Sequence, residues 1–407
     1  MNILVVSQYF WPENFKGNDI AFNLAEKGHN VSVLTAKPNY PEGSFYKGYS
    51  FFGKSLEIIR GISIIRVPVL PRRSGSAFHL ALNYFSFVFF SYWAFLFRIK
   101  NIYDVILVQQ LSPVFSALPG IWIRKKYGIK LVLWVLDLWP DCLKAAGNIK
   151  SKFMISWVDK IVKRIYNNSD QILISSRSFE NSVRSKLIKN IPVTYFPNWA
   201  EDIFLNGNIT NKINIEFPFG FNIVFAGNIG EANDFESIVK AVKLTQEKGI
   251  NWIIIGDGRK LPWLKKEIEN QKLENIFIKG YHPIDKMPEI FHAADALLVS
   301  LKENEVFSLT VPAKIQAYMA SGKIILGMLN GEGAEIINQA NCGFTVNAGN
   351  AEGLAQMAIK ISLLSPAEKE KQGMNGRMYY MQIFDKIKLM NQIERILIQS
   401  SKASKSK

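Results

Sequence analysis

Ten short apolar runs, most of them spaced with room for a helix in between, are the feature that most constrains this chain. In the first half they are NILVVSQ, VSVLTA, YDVILVQQ, IKLVLWVLDL and QILISS. In the second they are NIVFAGN, NWIIIGDG, NIFIKG, ADALLVSL and IILGML. Their Val, Ile and Leu are continuous rather than alternating, so both faces of each strand must be covered. That is the signature of parallel sheets with helices on both sides. The two sets predict an α/β chain of two doubly wound domains, with ligands at the carboxyl ends of the strands. A chain of 407 residues has the length for two or three domains, and 48% apolar residues suffice for large cores. The expected division is 1–198, a turn-rich linker over 199–220, a second domain over 221–375, a C-terminal helix over 376–399 and a disordered basic tail over 400–407.

Composition narrows the partners. Cys142 and Cys342 stand 200 residues apart, without disulfide or metal-ligand spacing, which fits a reducing compartment. The opening MNILVVSQYF has no basic leader and reads as a first strand, not a signal peptide. Residues 1–198 carry 25 Lys and Arg against 11 Asp and Glu, a net +14; the remainder carries 24 against 23, a net +1. So one-sided an excess predicts an anionic partner for the first half. No helix-turn-helix, zinc-finger or RNA-binding signature accompanies it, so an anionic membrane surface is expected and nucleic acid is not.

Residues 77–97, AFHLALNYFSFVFFSYWAFLF, lack Asp, Glu, Lys and Arg over 21 positions. Length admits a membrane span. Position between strands of one domain argues against it, because crossing would separate those strands. A span, a helix or hairpin dipping into one leaflet and a plain core helix all remain open, with the dipping segment favoured. Arg72, Arg73, Arg98 and Lys100 flank the run as cations flank an interfacial anchor. In 151–168, Met154, Trp157, Val158, Ile161 and Ile165 share one helical face and Lys152, Lys160, Lys163 and Arg164 the other; a solvated basic face is an equal reading.

The segment 252–305 carries a specific series: Gly256-Asp257-Gly258 after a strand, Gly280 closing the next, Pro288 and Ile290 in a short helix, and Ala294-Asp295 before a further strand. With its spacing, this series resembles the donor-binding domain of family 4 glycosyltransferases of the GT-B fold. The opening QYFWPENFKGNDIAF, GHNVSVLT and PNYPEG resembles the start of the same enzymes. DLWPD, AGNIGEANDFESI and LTVPAKIQAYMASGK are similar to the bacterial branch that includes O-antigen L-fucosamine transferases. The resemblance implies two Rossmann-like domains facing across a cleft. It implies transfer from a UDP-sugar, with N-acetyl-L-fucosamine as the branch's suggestion, and no cofactor. The acceptor it implies is an undecaprenyl-diphosphate-linked saccharide, met at the cytoplasmic face of a bacterial plasma membrane during surface-polysaccharide synthesis.

Site residues follow from chemistry and from this match. A diphosphate needs backbone N–H donors at helix starts, and cations. FSLTVPAK offers a loop entering a helix: Pro312 as a start signal, the N–H groups of Ser308, Leu309 and Thr310 toward phosphate, and Lys314 one turn in. The competing reading is a plain βα loop with a solvated lysine. GNIGEAND, 227–234, is a second glycine-bearing turn, with Asn228 where many relatives have arginine and no lysine in the loop. That leaves Lys314, backbone amides and Arg259 or Lys16 for the phosphates; Gly17, Gly256 and Gly258 belong to the expected donor site. Metal is not expected, since Asp-x-Asp is absent and histidines number four. Catalytic candidates are Glu13 and Asp137 at strand ends, with Asp141 as rival and helix capping as the competing role.

Two glutamates of the family are missing: Leu309 and Ala317 stand in their places. In the family, whose enzymes of this type retain configuration, the leaving phosphate often receives the acceptor proton, so transfer is compatible with their loss, while the loss weakens the expectation of retention. Donor hydroxyls would be read by Glu303, Glu305, Tyr318 or backbone amides. A 6-deoxy sugar fits a lost polar contact at Leu309. The alternatives are a sugar-nucleotide epimerase of similar fold and a non-catalytic donor-binding subunit.

Overall fold

The computed structural model describes residues 1–73, 75–100, 102–145, 151–206 and 215–405. The chain divides into two compact units, Met1–Phe196 with Ile387–Lys407, and Pro197–Lys386. The first unit carries β1 (Asn2–Val6), β2 (Asn30–Ala36), β3 (Leu56–Ile59), β4 (Ile62–Val67), β5 (Val105–Gln110), β6 (Lys130–Val135), β7 (Gln171–Ile174) and β8 (Val193–Tyr195). They form one sheet in the order β3-β4-β2-β1-β5-β6-β7-β8, parallel apart from the β3–β4 pair. The chain winds outward from β1, then returns to β5 on the other side of β1. Such a reversal opens a crevice at the carboxyl ends of the two strands.

The second unit carries β9 (Phe221–Ala226), β10 (Ile250–Ile255), β11 (Ile276–Gly280), β12 (Ala296–Ser300), β13 (Ile325–Met328) and β14 (Gly343–Val346). Their order is β11-β10-β9-β12-β13-β14, all parallel. Here the reversal lies between β9 and β12. Those two pair over Ala296↔Ile223 and Leu297↔Val224, at the start of β12, so they part toward their carboxyl ends. One apolar cluster covers each face of the sheet.

Each of the ten apolar runs contains a strand. The reading passed over β3, β4, β8 and β14. β3 and β4 form a hairpin whose turn residues, Arg60 and Gly61, both take positive φ, as two-residue hairpins require. The C-terminal end also differs from expectation. Instead of one helix over 376–399 there are two, Pro366–Ile383, opened by a Ser365–Glu368 capping box, and Lys386–Lys405. Helix thus continues through the expected tail to Lys405, and residues 406 and 407 lie outside the described residues. Of the expected linker, 207–214 lie outside them too, while Ala200 and Phe204 are buried in the core of the second unit.

Candidate functional site

In the second unit the carboxyl ends of β9 and β10 feed two loops knitted backbone to backbone. Gly227 N–H donates to Ile255 O (2.9 Å), Ile229 N–H to Asp257 O (2.8 Å) and Lys260 N–H to Ile229 O (3.0 Å). Gly256 and Gly258 sit at φ 138° and 158°; a Cβ on the first would strike Gly227 O, and on the second Ile229 O. These glycines are required by loop-on-loop packing. Asn228 lies on the rim, its side chain against Gly230 and Gly258, and Arg259 is exposed.

Lys314 lies under this rim. Its Nζ is out of solvent, has no hydrogen-bond acceptor, and sits 3.5 Å from the centroid of the Phe225 ring. A Cβ on Gly227 would approach its Cε to 2.8 Å. Burial pulls its pKa down to about 7. A buried ammonium without an acceptor is costly, and an anion would relieve that cost.

The loop ahead of Lys314 differs from expectation. The N–H groups of Ser308, Leu309 and Thr310 are taken by Asn304 O, Val306 O and Phe307 O at 3.0, 3.2 and 3.1 Å. They close a short helix, Glu305–Ser308, capped by Asn304, so each of these N–H groups already has a backbone acceptor. Pro312 is the N-cap of the next helix, Ala313–Ala320, at the helix start its sequence suggested. Tyr318 is a core residue, not a reader of donor hydroxyls. Its hydroxyl accepts from Ala226 N–H and donates to Leu298 O, both at 3.3 Å, bridging β9 and β12 where their ladder parts. Ala317 is buried beside it, Leu309 is half-buried, and Glu303 and Glu305 are exposed.

In the first unit Glu13 is 1% exposed. Its Oε1 accepts from Asn39 N–H (2.8 Å) and Tyr40 N–H (2.7 Å), and its Oε2 from Phe10 N–H (3.3 Å). Burial outweighs these donors and raises its pKa to about 7. Glu13 therefore clamps the loop after β1 to the loop after β2. Gly17, in the first turn of helix Lys16–Glu26, packs where any side chain would strike Gln109 Oε1. Lys16 opens that helix. Asp137, just past β6, accepts from Ser112 Oγ at 2.8 Å, and Ser112 Oγ in turn accepts from Trp139 Nε1 at 3.1 Å. Burial raises the Asp137 pKa, opposed by the Ser112 bonds. Asp141 begins the helix Asp141–Ala145, 3.8 Å from Lys186 Nζ. The structure thus gathers Glu13, Gly17 and Asp137 at strand ends of one unit, and Asn228, Gly256, Gly258 and Lys314 at those of the other.

Two cations that the sequence did not single out, Lys260 and Lys302, and Arg72, expected only as a flank of the apolar run, lie near these residues. Lys260 and Lys302 pair with Glu231 and Glu236 beside the 227–234 loop. Arg72 lies 4.9 Å over the Tyr40 ring and donates to Tyr9 OH at 3.2 Å. The signal for Lys302 was present: it follows a strand run within two residues, as Asp137 does.

Among the described residues one helix, Ala77–Phe97, is long and apolar enough to cross a membrane. It follows β4 and precedes β5, strands of one sheet, a position that argues against a span. Nor is it wholly a core helix. Its buried side mixes polar and apolar residues, Asn83, Ser86 and Ser91 with Phe87, Ala94 and Phe95, and Asn83 donates to Leu70 O (2.7 Å) and accepts from Gln8 Nε2 (2.9 Å). Its outer side shows Phe85, Phe89, Trp93 and Phe97. Phe115 stacks on Phe85 and meets Trp157 at a tilt, joining this surface to helix Lys152–Tyr166, where Phe153 and Met154 are exposed.

Comparison with known proteins places these features. Residues 18–199 match the model "Glycosyl transferase 4-like domain", and residues 220–362 match "Glycosyl transferases group 1". WbjE of Pseudomonas aeruginosa, named a glycosyltransferase, is 28% identical over 63% of this chain and 66% of its own length. WcaI of Escherichia coli K12, named for colanic acid biosynthesis, is 25% identical over 79% of this chain and 82% of its own. The structure of Anabaena HepE in complex with UDP and glucose superposes with a TM-score of 0.66 at 14% identity, covering 98% of this chain and 100% of that one.

Proposed function

The chain belongs to the glycosyltransferases of GT-B fold, and from that premise we propose that it transfers a sugar from a UDP-sugar to a lipid-diphosphate-linked saccharide at a membrane surface. The observation that carries the donor half is the Lys314 ammonium, buried without an acceptor beside Gly227. HepE was solved with UDP and glucose, which supports a nucleotide sugar here. Both family models are glycosyltransferase models, which favours transfer over epimerisation.

The acceptor half rests on the first unit. Asp137, with its raised pKa, is the candidate base or binding carboxylate, and Arg72 offers a cation for an acceptor phosphate. The aromatic face of helix Ala77–Phe97 and the +14 charge of residues 1–198 suit a peripheral position on the inner, anionic leaflet of a bacterial membrane. An undecaprenyl diphosphate would present its saccharide there. The donor sugar we propose is N-acetyl-L-fucosamine or a related 6-deoxy sugar, because apolar Leu309 stands in the place of a family glutamate. The product would belong to O-antigen or another surface polysaccharide.

Labelled UDP-sugars incubated with membranes and protein test the whole reading. Label should pass into the lipid fraction, with configuration retained, and should still do so in saturating EDTA. Release of a free epimer, or loss of turnover in EDTA with recovery on adding magnesium, would overturn the transfer or the metal-free part respectively.

A further inference from the structure

One lysine does not neutralise a diphosphate, and the 227–234 loop contains no Lys or Arg. Two lysines nevertheless approach that loop from outside it. Lys302 follows β12, at the reversal between β9 and β12, and its N–H donates to Ala232 O at 2.8 Å. Lys260 follows Gly258, and its N–H donates to Ile229 O. Both ammonium groups converge on one carboxylate: Glu231 Oε2 lies 3.1 Å from Lys302 Nζ and 3.4 Å from Lys260 Nζ. Glu236 holds the same two cations from the next helix.

The Glu231 side chain is 71% exposed, whereas those of Lys260 and Lys302 are 11% and 34% exposed. The cations are therefore the fixed members and the carboxylate the free one. Exposed ion pairs of this kind contribute little to stability, and an exposed glutamate can swing into water at little cost. Lys314 marks the start of the same loop as anion-seeking, independently of this cluster.

We propose that Glu231 is a built-in stand-in for the donor's phosphate, and that Lys302, with Lys260 behind it, receives the diphosphate when Glu231 swings out. This rests on the nucleotide-sugar reading above. The two lysines then replace the loop cations that Asn228 and its neighbours do not supply. Glu231 keeps them paired while the site is empty and competes with the ligand for them.

Titration calorimetry of the full chain with UDP separates this role from a mere loop latch. Lys302→Gln should weaken UDP by about tenfold, the loss of one charge-assisted bond. Glu231→Gln should tighten it by about threefold, since a competitor for the cations is gone. A latch would make the two changes act alike, because each breaks the same ion pair. Equal affinities in wild type and both variants, or weaker binding by Glu231→Gln, would overturn the inference. Glu231→Gln changes an exposed side chain, so its result stands even where Lys302→Gln unfolds. Lys314→Met distinguishes the two levels. UDP binding that depends on Lys314 but not on Lys302 or Glu231 sinks the inference alone; no UDP binding by the wild type sinks it together with the donor reading.

Discussion

A lysine ammonium deprived of water and of an acceptor holds its proton weakly, and burial brings Lys314 from 10.5 to about 7. In the window between those values the unfolded chain keeps a proton that the folded chain lacks. The stability of the ligand-free protein should therefore rise with pH from about 7 to about 10.5, and the cost of charging Lys314 is fully present below about 7. Lys314→Met should remove that part of the pH profile, as measured by urea unfolding across the window. Donor binding reverses the shift, because a phosphate favours the charged lysine. At pH 8, UDP binding should take up protons, read as a buffer-dependent binding enthalpy. Lys314→Ala should abolish the uptake and weaken UDP by about 1.5–3 kcal/mol. Unchanged affinity would remove Lys314 from the site. Glu13 calls for the opposite kind of test, since its carboxylate serves three backbone N–H groups. Glu13→Ala strands Asn39 and Tyr40 N–H in the interior and should cost about 2–4 kcal/mol, whereas Glu13→Gln keeps an oxygen for both and should cost much less. Equal losses in urea denaturation would refute the clamp. A strand-end position made Glu13 visible in the sequence, and a place at a helix start made Lys314 visible. What each side chain touches depends on loops that meet only on folding, so neither the backbone clamp made by Glu13 nor the place of Lys260 and Lys302 is legible in the sequence.

The buried parallel strands were the most legible elements, because continuous Val, Ile and Leu runs admit few other placements. β14 was not legible: Gly343–Val346 is a four-residue, half-buried edge strand without such a run. The helix Ala77–Phe97 shows the limit from the other side. Its composition says apolar, but only the fold shows which aromatic residues stay outside. The face with Asn83, Ser86, Phe87, Ser91, Ala94 and Phe95 is turned inward, leaving Phe89, 57% exposed, and Trp93, 47% exposed, outside. An exposed aromatic surface of that extent on a basic unit should bind anionic vesicles in two separable ways. Polybasic attraction, about 1 kcal/mol per cation near the surface, is screened by salt, and apolar insertion is not. In vesicle sedimentation, raised salt should release part of the protein. Phe89→Ser with Trp93→Ser should release more, and alkaline carbonate should release nearly all. Retention in the carbonate pellet would exclude a peripheral attachment.

At the scale of the whole chain, the first unit is discontinuous. It is closed by residues after Lys386, which the sequence presents only as a basic, amphipathic end. Within that unit Glu394 accepts from Lys27 Nζ (2.6 Å) and meets His29 Nε2 (3.0 Å), and Gln392 Nε2 donates to Tyr195 O (3.1 Å). Leu389, Met390, Ile393, Ile396 and Leu397 are buried. Side chains of this size stabilise by about 1.5–3 kcal/mol each when fully buried, so their loss together is comparable with the stability of an entire domain. A chain ending at Lys386 should therefore lose the folded first unit. Pro197–Lys386 is complete without the removed segment, so the second unit should persist. Scanning calorimetry should show the higher-order loss directly: the truncated chain keeps one cooperative transition, and UDP raises its midpoint by mass action. Transfer into the lipid fraction should vanish if the acceptor is held, as proposed, by the unit that has unfolded. A truncated chain that melts like the full one, or that loses UDP binding along with transfer, would contradict this division of labour.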